Sequence, residues 1–224
     1  MRKLIASTFG LVLVAAIVPA QDPKPAAGVV VDKEKRTVTV PAKVAPRKVL
    51  DQVYPIELIA GWGAPKGKKA HEIVVSVDIN PSEVHKALVD LDLKPGKAAK
   101  GENTKAEGPE VKVFLEVPGA DGFAKRLSLD KVLIDPKTKK PAPKMTFRFT
   151  GSVMSAVDPA KPDEKKYGAD LTGTLIALFP VTDECVLQTD WTMKEEKFLK
   201  LDVNPEVLPK EGNAIKLIIE APKP

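Results

Sequence analysis

The residues of this chain best suited to chemistry are two histidines that share one stretch with acidic neighbours. His71 and Glu72 precede an apolar run that ends at Asp78, and His85 follows shortly after it. Imidazole and carboxylate groups serve as general acids and bases and as metal ligands. The spacing does not match H-E-x-x-H, and the chain has no third histidine or cysteine pair to complete a typical zinc site. We therefore predict no metal and no cofactor.

Three roles stay open for the two histidines. A structural role is favoured, because His85 lies at the edge of the apolar stripe of a predicted helix, where its ring can pack and bond a loop. A pH-sensitive interaction is a second possibility. The third is a metal-dependent or His-based hydrolase that uses His71, Glu72 and His85. That enzyme would need both histidines in one pocket with a carboxylate between them.

A glycine-rich basic segment, residues 61–69, is the second candidate site. Its backbone N–H groups and the ammonium groups of Lys66, Lys68 and Lys69 could hold an anion. The segment lacks the G-x-x-x-x-G-K-[ST] spacing of a phosphate-binding loop, so a hairpin connection is the simpler interpretation. Trp62 at its tip would contact a partner or a sugar if exposed, or fold back onto the sheet.

The remaining residue types give weaker signals for catalysis. Ser152 follows Gly151 but has no glycine two residues later, so it is not a nucleophile elbow. The single cysteine, Cys185, lies in a short β-like segment and is predicted to be a buried core residue that forms no intramolecular disulfide. The acidic residues Asp130, Asp135, Asp170 and Asp190 are too scattered in sequence to be paired. No motif therefore supports an enzyme.

Strands dominate the pattern that must position these residues. Residues 111–117 and 145–150 alternate apolar and polar side chains, whereas residues 172–179 are continuously apolar, as in a strand covered on both sides. Prolines, 21 of 224 residues, separate the predicted strands and argue against long helices. We predict an α+β fold, a mainly antiparallel, sandwich-like sheet with one prominent helix.

That helix is predicted at about residues 81–91. Asn80 can cap its start, Pro81 suits the first helical position, and Glu83 can complete a capping box. An apolar stripe at helical spacing follows, and the sequence Lys-Pro-Gly at residues 94–96 ends it. The stripe consists of Val84, Ala87, Leu88 and Leu91.

The first 20 residues are typical of a secretory signal peptide. Arg2 and Lys3 precede an apolar run that is too short to span a membrane, and small residues follow before a predicted cleavage between Ala20 and Gln21. Residues 21–28 form a predicted flexible leader rich in proline and alanine, and residues 29–224 a single domain. We expect the mature protein to be extracytoplasmic, periplasmic or secreted, with no membrane span after cleavage.

The composition argues against nucleic-acid binding. The formal net charge is +5, acidic and basic residues are interspersed, and aromatic residues make up only 5%. Nucleic-acid sites concentrate basic residues on one face and add aromatic side chains for stacking. The expected partner is therefore an unknown ligand or protein.

Residues 71–98, HEIVVSVDINPSEVHKALVDLDLKPGKA, resemble the signature of the YdjY-domain family of exported, largely uncharacterised bacterial proteins common in planctomycete genomes. Residues 54–72, 147–155 and 167–180 also resemble the family pattern. The resemblance implies one extracytoplasmic domain, but no settled activity. It directs attention to His71, Glu72, His85 and Asp170, which match the pattern and have no role as helix punctuation.

From these observations we expect an exported, non-enzymatic binding or structural module of unknown ligand. Its contact surface would be the segment of residues 61–72 and the rim of the helix. The hydrolase described above is the alternative.

Overall fold

The computed structural model describes residues 28–48, 51–119 and 122–223. The predicted signal peptide, its cleavage point and all of the predicted leader except Gly28 lie outside the described residues. They therefore stay predictions. The described helices are α1 (Pro81–Val89), α2 (Leu129–Val132), α3 (Gly168–Thr172) and α4 (Met193–Phe198). The described strands are β1 (Val30–Asp32), β2 (Thr37–Val44), β3 (Leu58–Gly61), β4 (Ile73–Val77), β5 (Glu110–Pro118), β6 (Ala124–Ser128), β7 (Leu133–Ile134), β8 (Phe147–Phe149), β9 (Met154–Ala156), β10 (Lys165–Tyr167), β11 (Thr174–Ala177), β12 (Leu187–Thr189), β13 (Asp202–Val203) and β14 (Ala214–Glu220).

Eight of these strands close into a barrel. Their order is β2, β14, β5, β8, β12, β11, β3 and β4, and β4 pairs back with β2. Closure depends on β2, whose residues 37–43 pair with β14 while residues 42–44 pair with β4. Closing the ring pairs both sides of these eight strands with neighbours. The two remaining strands of the sheet extend from the ring, since β1 pairs with β2 and β6 pairs with β5. The predicted α+β, sandwich-like fold is therefore wrong, because a sandwich consists of open sheets, whereas these strands form one closed barrel.

The prediction of one prominent helix is also wrong. The start of α1 is confirmed, since the Asn80 backbone N–H donates to Glu83 Oε1 at 2.9 Å. The helix, however, ends at Val89, with Asp90 as its C-cap, and Asp92 takes a left-handed φ of 64° just beyond it. The four helices of the described residues are short, so none of them forms a second layer. None is long and apolar enough to cross a membrane.

The alternation predicted for residues 111–117 is confirmed in β5. Val113 and Leu115 face the barrel core, whereas Lys112 and Glu116 face outward. Every residue of β11 is buried, which confirms the strand covered on both sides. Two small two-stranded sheets lie outside the barrel, one of β9 and β10 and one of β7 and β13. The first of these sheets contains Tyr167 and the second contains Asp202.

Candidate functional site

The two histidines lie in different surroundings. His71 precedes β4, where its Nε2 lies 3.1 Å from Glu72 Oε1 and its ring packs edge-on against Tyr54 with 4.7 Å between centroids. His85 lies on α1, with its Nδ1 2.7 Å from the Tyr167 hydroxyl. Within the described residues, no side chain contacts both histidines, and no group of three or more His, Cys, Asp or Glu could hold a metal ion. The two histidines therefore do not belong to one contact network.

His85 joins three segments that are distant in sequence. Its ring packs edge-on against Phe149 and Tyr167, with centroids 5.1 and 5.3 Å away. The Ser152 backbone N–H donates to the Tyr167 hydroxyl at 3.1 Å, and the Ala169 N–H donates to Ser152 Oγ at 2.9 Å. Helix α1, the loop after β8 and the end of β10 thus meet at one point.

Asp170 completes this arrangement from α3. Its Oδ1 accepts a hydrogen bond of 2.8 Å from the backbone N–H of Ser82, in the first turn of α1. The first N–H groups of a helix have no partner within it, and a carboxylate there also interacts favourably with the helix dipole. We call His85, Ser152, Tyr167 and Asp170 the His85 lock. It fastens α1 to the segments that follow β8 and β10.

The hydrogen-bonded side chains of His85 and Tyr167 are both uncharged at neutral pH. Burial lowers the pKa of His85, and burial is also the main cause that raises the pKa of Tyr167 to about 12. The Tyr167 hydroxyl accepts from Ser152 and shares a second hydrogen bond with His85 Nδ1, whose direction depends on the tautomer of the imidazole. Ser152 Oγ bonds Ala169 and the Val153 carbonyl, not a histidine. The geometry is that of a structural connection without an activated serine.

Acidification is expected to destabilise the fold through His85. In the unfolded chain, His85 binds a proton as the pH falls through its ordinary pKa of 6.5. In the folded chain, His85 binds this proton only at a lower pH, because its pKa is lowered. The free energy of unfolding therefore declines across that window and the loss is complete below it. Urea unfolding between about pH 7 and pH 5 measures the decline. His85→Gln should make it shallower, and an unchanged slope would contradict this assignment.

Several side chains of the basic segment, residues 61–69, contact other groups of the same chain. Trp62 is only 8% exposed, and its Nε1–H donates to the Ile79 carbonyl at 2.7 Å. The Lys66 ammonium group lies 3.4 Å from the centroid of the Trp62 ring. Lys68 is exposed. Trp62 therefore contributes to the packing of the barrel and does not present an open ring to a ligand.

Lys69 binds two carboxylates of its own chain. Its Nζ lies 2.5 Å from Glu57 Oε2 and 2.8 Å from Glu72 Oε2. Burial alone would lower the pKa of Lys69, but the hydrogen bonds and charges of Glu57 and Glu72 outweigh burial and raise it. Glu72 in turn contacts His71. These residues form a half-buried ionic cluster beside β3 and β4.

Cys185 is buried, as its sequence context predicted. It is fully inaccessible, and burial is the main cause that raises the pKa of its thiol to about 12. A thiol nucleophile reacts as the thiolate. Cys185 is therefore an unreactive core residue.

Arg47 is the main charged residue that the sequence did not indicate. Its side chain is 11% exposed, and its Nε donates to Asp202 Oδ1 at 2.8 Å. The rest of the guanidinium donates to the carbonyls of Tyr54, at 2.5 Å, and His71, at 3.4 Å. The Arg47 backbone N–H donates to Glu211 Oε1 at 2.8 Å. Its two acidic partners, Asp202 and Glu211, are 155 and 164 residues away, so no local motif could have identified it.

A cavity of about 410 Å³ opens beside Arg47. Its floor is apolar and comprises Val44, Ile134 and Leu208, all of which are buried. Its rim carries charged side chains from the turn after β7, from β13 and from the segment that follows β13. They are Lys139, Asp202, Lys210 and Glu211. We call this cavity the Arg47 cleft.

The fold and these sites define a small closed-barrel domain with a structural histidine lock and a separate surface cleft. Residues 29–220 match the family model of the YdjY domain, and the chain therefore belongs to this family. The family predicted from the sequence is confirmed. No curated protein and no solved structure gives a significant match to the chain.

Proposed function

We propose that this chain is an exported bacterial protein of the planctomycete type, whose barrel serves as a non-enzymatic binding module in the periplasm or outside the cell. Its export is supported by the charged start, the short apolar run and the small residues before Gln21. Its binding role rests on the Arg47 cleft. An apolar floor with a few fixed polar groups is the usual composition of a small-molecule site.

The contacts of the other candidates favour the cleft as the binding surface. Trp62, Lys66 and Lys69 bind groups of the chain itself, and His85 and Asp170 hold α1 in place. The cleft, in contrast, has buried apolar side chains that border open space and an arginine whose position is fixed by four hydrogen bonds. Rigid polar groups beside apolar surface lower the cost of ordering a ligand.

Binding is tested with a fragment library and the isotopically labelled chain of residues 21–224. We expect fragments to shift the backbone amide signals of Val44, Arg47 and Leu208 in NMR spectra, and to leave those of the His85 lock unchanged. Val203→Phe, which enlarges a residue lining the cleft, should abolish the shifts. Val30→Phe, at an exposed position outside the cleft, should preserve them. Failure of every fragment to shift the cleft signals would overturn the binding role.

Export is tested separately by expressing the full chain in a bacterium. We expect mass spectrometry of the protein recovered outside the cytoplasm to give Gln21 as its first residue. Ala20→Arg should block this processing, because signal cleavage needs a small residue at that position. Recovery of the wild-type chain in the cytoplasm with its first 20 residues attached would contradict export.

A further inference from the structure

We infer that the ligand of the Arg47 cleft is an amphipathic carboxylate, with its apolar chain on the cleft floor and its carboxylate between Lys139 and Lys210. This inference rests on the proposed binding role and adds the chemical class of the ligand. The floor of Val44, Ile134 and Leu208 offers apolar contact but few hydrogen-bond partners. The body of a ligand that lies there must therefore be apolar.

The charges at the rim identify the head group. The guanidinium of Arg47 is already paired with Asp202. In the part of the chain that the structure describes, neither Lys139 nor Lys210 has an ion-pair partner. Both ammonium groups are thus available to an anion, which they would bind more strongly beside apolar surface than in open water.

Lys139 has an unusual backbone conformation. Its φ is 59°, in the left-handed region where glycine or asparagine is less strained than lysine. The turn is held by Asp135, whose Oδ1 accepts the N–H groups of Lys137 and Thr138 and whose carbonyl accepts that of Lys139. A lysine at a conformationally costly position on the rim of a cleft is consistent with a binding role.

The carboxylates of the cleft favour a ligand with a single negative charge. Asp202 and Glu211 both line the cavity, and among the described residues the Glu211 carboxylate has one partner, the Arg47 backbone N–H. A dianion such as a phosphate monoester would be repelled by these two groups more strongly than a monoanion would. A neutral head group would gain less from the two lysines than an anion would, because a hydrogen bond between two charged groups is stronger. A monocarboxylate with an apolar chain satisfies both conditions.

Calorimetric titration of the mature chain with decanoate tests the inference, with decanamide as the neutral isostere and butyrate as the short-chain control. We expect decanoate to bind more tightly than both. Lys139→Gln and Lys210→Gln should each weaken decanoate binding about threefold, and the double variant about tenfold. Decanamide binding should not change in these variants. Lys33→Gln, which removes an exposed lysine outside the cleft, should leave decanoate binding as it is.

The outcomes separate this inference from the proposed function. If decanamide binds as tightly as decanoate, or if decanoate does not bind while fragments still shift the cleft signals, the carboxylate class is wrong and the binding role stands. If no compound shifts the cleft signals, both are wrong. If Lys33→Gln weakens decanoate binding as much as Lys139→Gln does, general surface charge explains the affinity and the proposed site is wrong.

Discussion

Replacing Gly173 by alanine is expected to lower the free energy of unfolding by about 3 kcal/mol, because the added methyl group would collide with Trp62. Gly173 has a φ of 75°, and a Cβ atom there would lie 2.4 to 2.6 Å from three atoms of the indole ring. Trp62 cannot move away easily. Its backbone N–H donates to the Gly173 carbonyl at 2.8 Å, and its Nε1–H donates to Ile79.

Urea unfolding of the mature chain measures this loss, and Gly101 supplies a matched control. Gly101 has a similar φ of 81°, but a Cβ atom there would meet no heavy atom within 4 Å. Gly101→Ala should therefore cost only the backbone strain, about 1 kcal/mol. Adding Trp62→Leu to Gly173→Ala should recover part of the loss, because the smaller side chain leaves room for the methyl group. Equal losses at Gly173 and Gly101 would show that the ring does not constrain this position.

The sequence was a good guide to local structure. The alternation in β5 depends only on which face of one strand is apolar, and the start of α1 depends on Asn80 and Glu83, three residues apart. The burial of Cys185 likewise follows from its immediate neighbours. Each of these features is determined by interactions between residues close in sequence, which periodicity and capping patterns record directly.

Barrel closure could not be predicted in the same way. The period of two in β2 indicates which side chains face the core, but it does not specify that residues 42–44 pair with β4. A sandwich and a barrel have the same alternation along each strand. The difference lies in one long-range pairing, for which the sequence contains no local signal.

The resemblance to the family identified important positions but not their roles. His85 and Asp170 match the family pattern, and both turn out to hold α1 through partners more than 80 residues away. The position of Trp62 could not be predicted for a similar reason. Nothing beside it in the sequence indicates that its ring packs against Gly173 and donates a hydrogen bond to Ile79. Arg47 had no signal at all, because its partner Asp202 is 155 residues away.

Removing the charge of Arg47 is expected to have the second-largest effect. Arg47→Met should lower the free energy of unfolding by about 2 kcal/mol, because it leaves the half-buried Asp202 without its cation and two carbonyls without a donor. The same change should weaken ligand binding in the cleft, since Asp202, which lines the cleft, loses the cation that holds it. Urea unfolding and the fragment titration measure the two effects.

Two further variants distinguish the buried ion pair from a general loss of charge. Arg126→Met removes a more exposed arginine, which lies 3.4 Å from Glu220, and should cost less than about 1 kcal/mol. Adding Asp202→Asn to Arg47→Met should recover part of the stability, because the unpaired carboxylate is then removed. If Arg47→Met and Arg126→Met lose the same stability, Arg47 acts as an ordinary surface residue, and its ion pair with Asp202 does not hold the side of the cleft in place. A larger loss at Arg47, with partial recovery in the double variant, would support the ion pair as the element that keeps the cleft open and ordered.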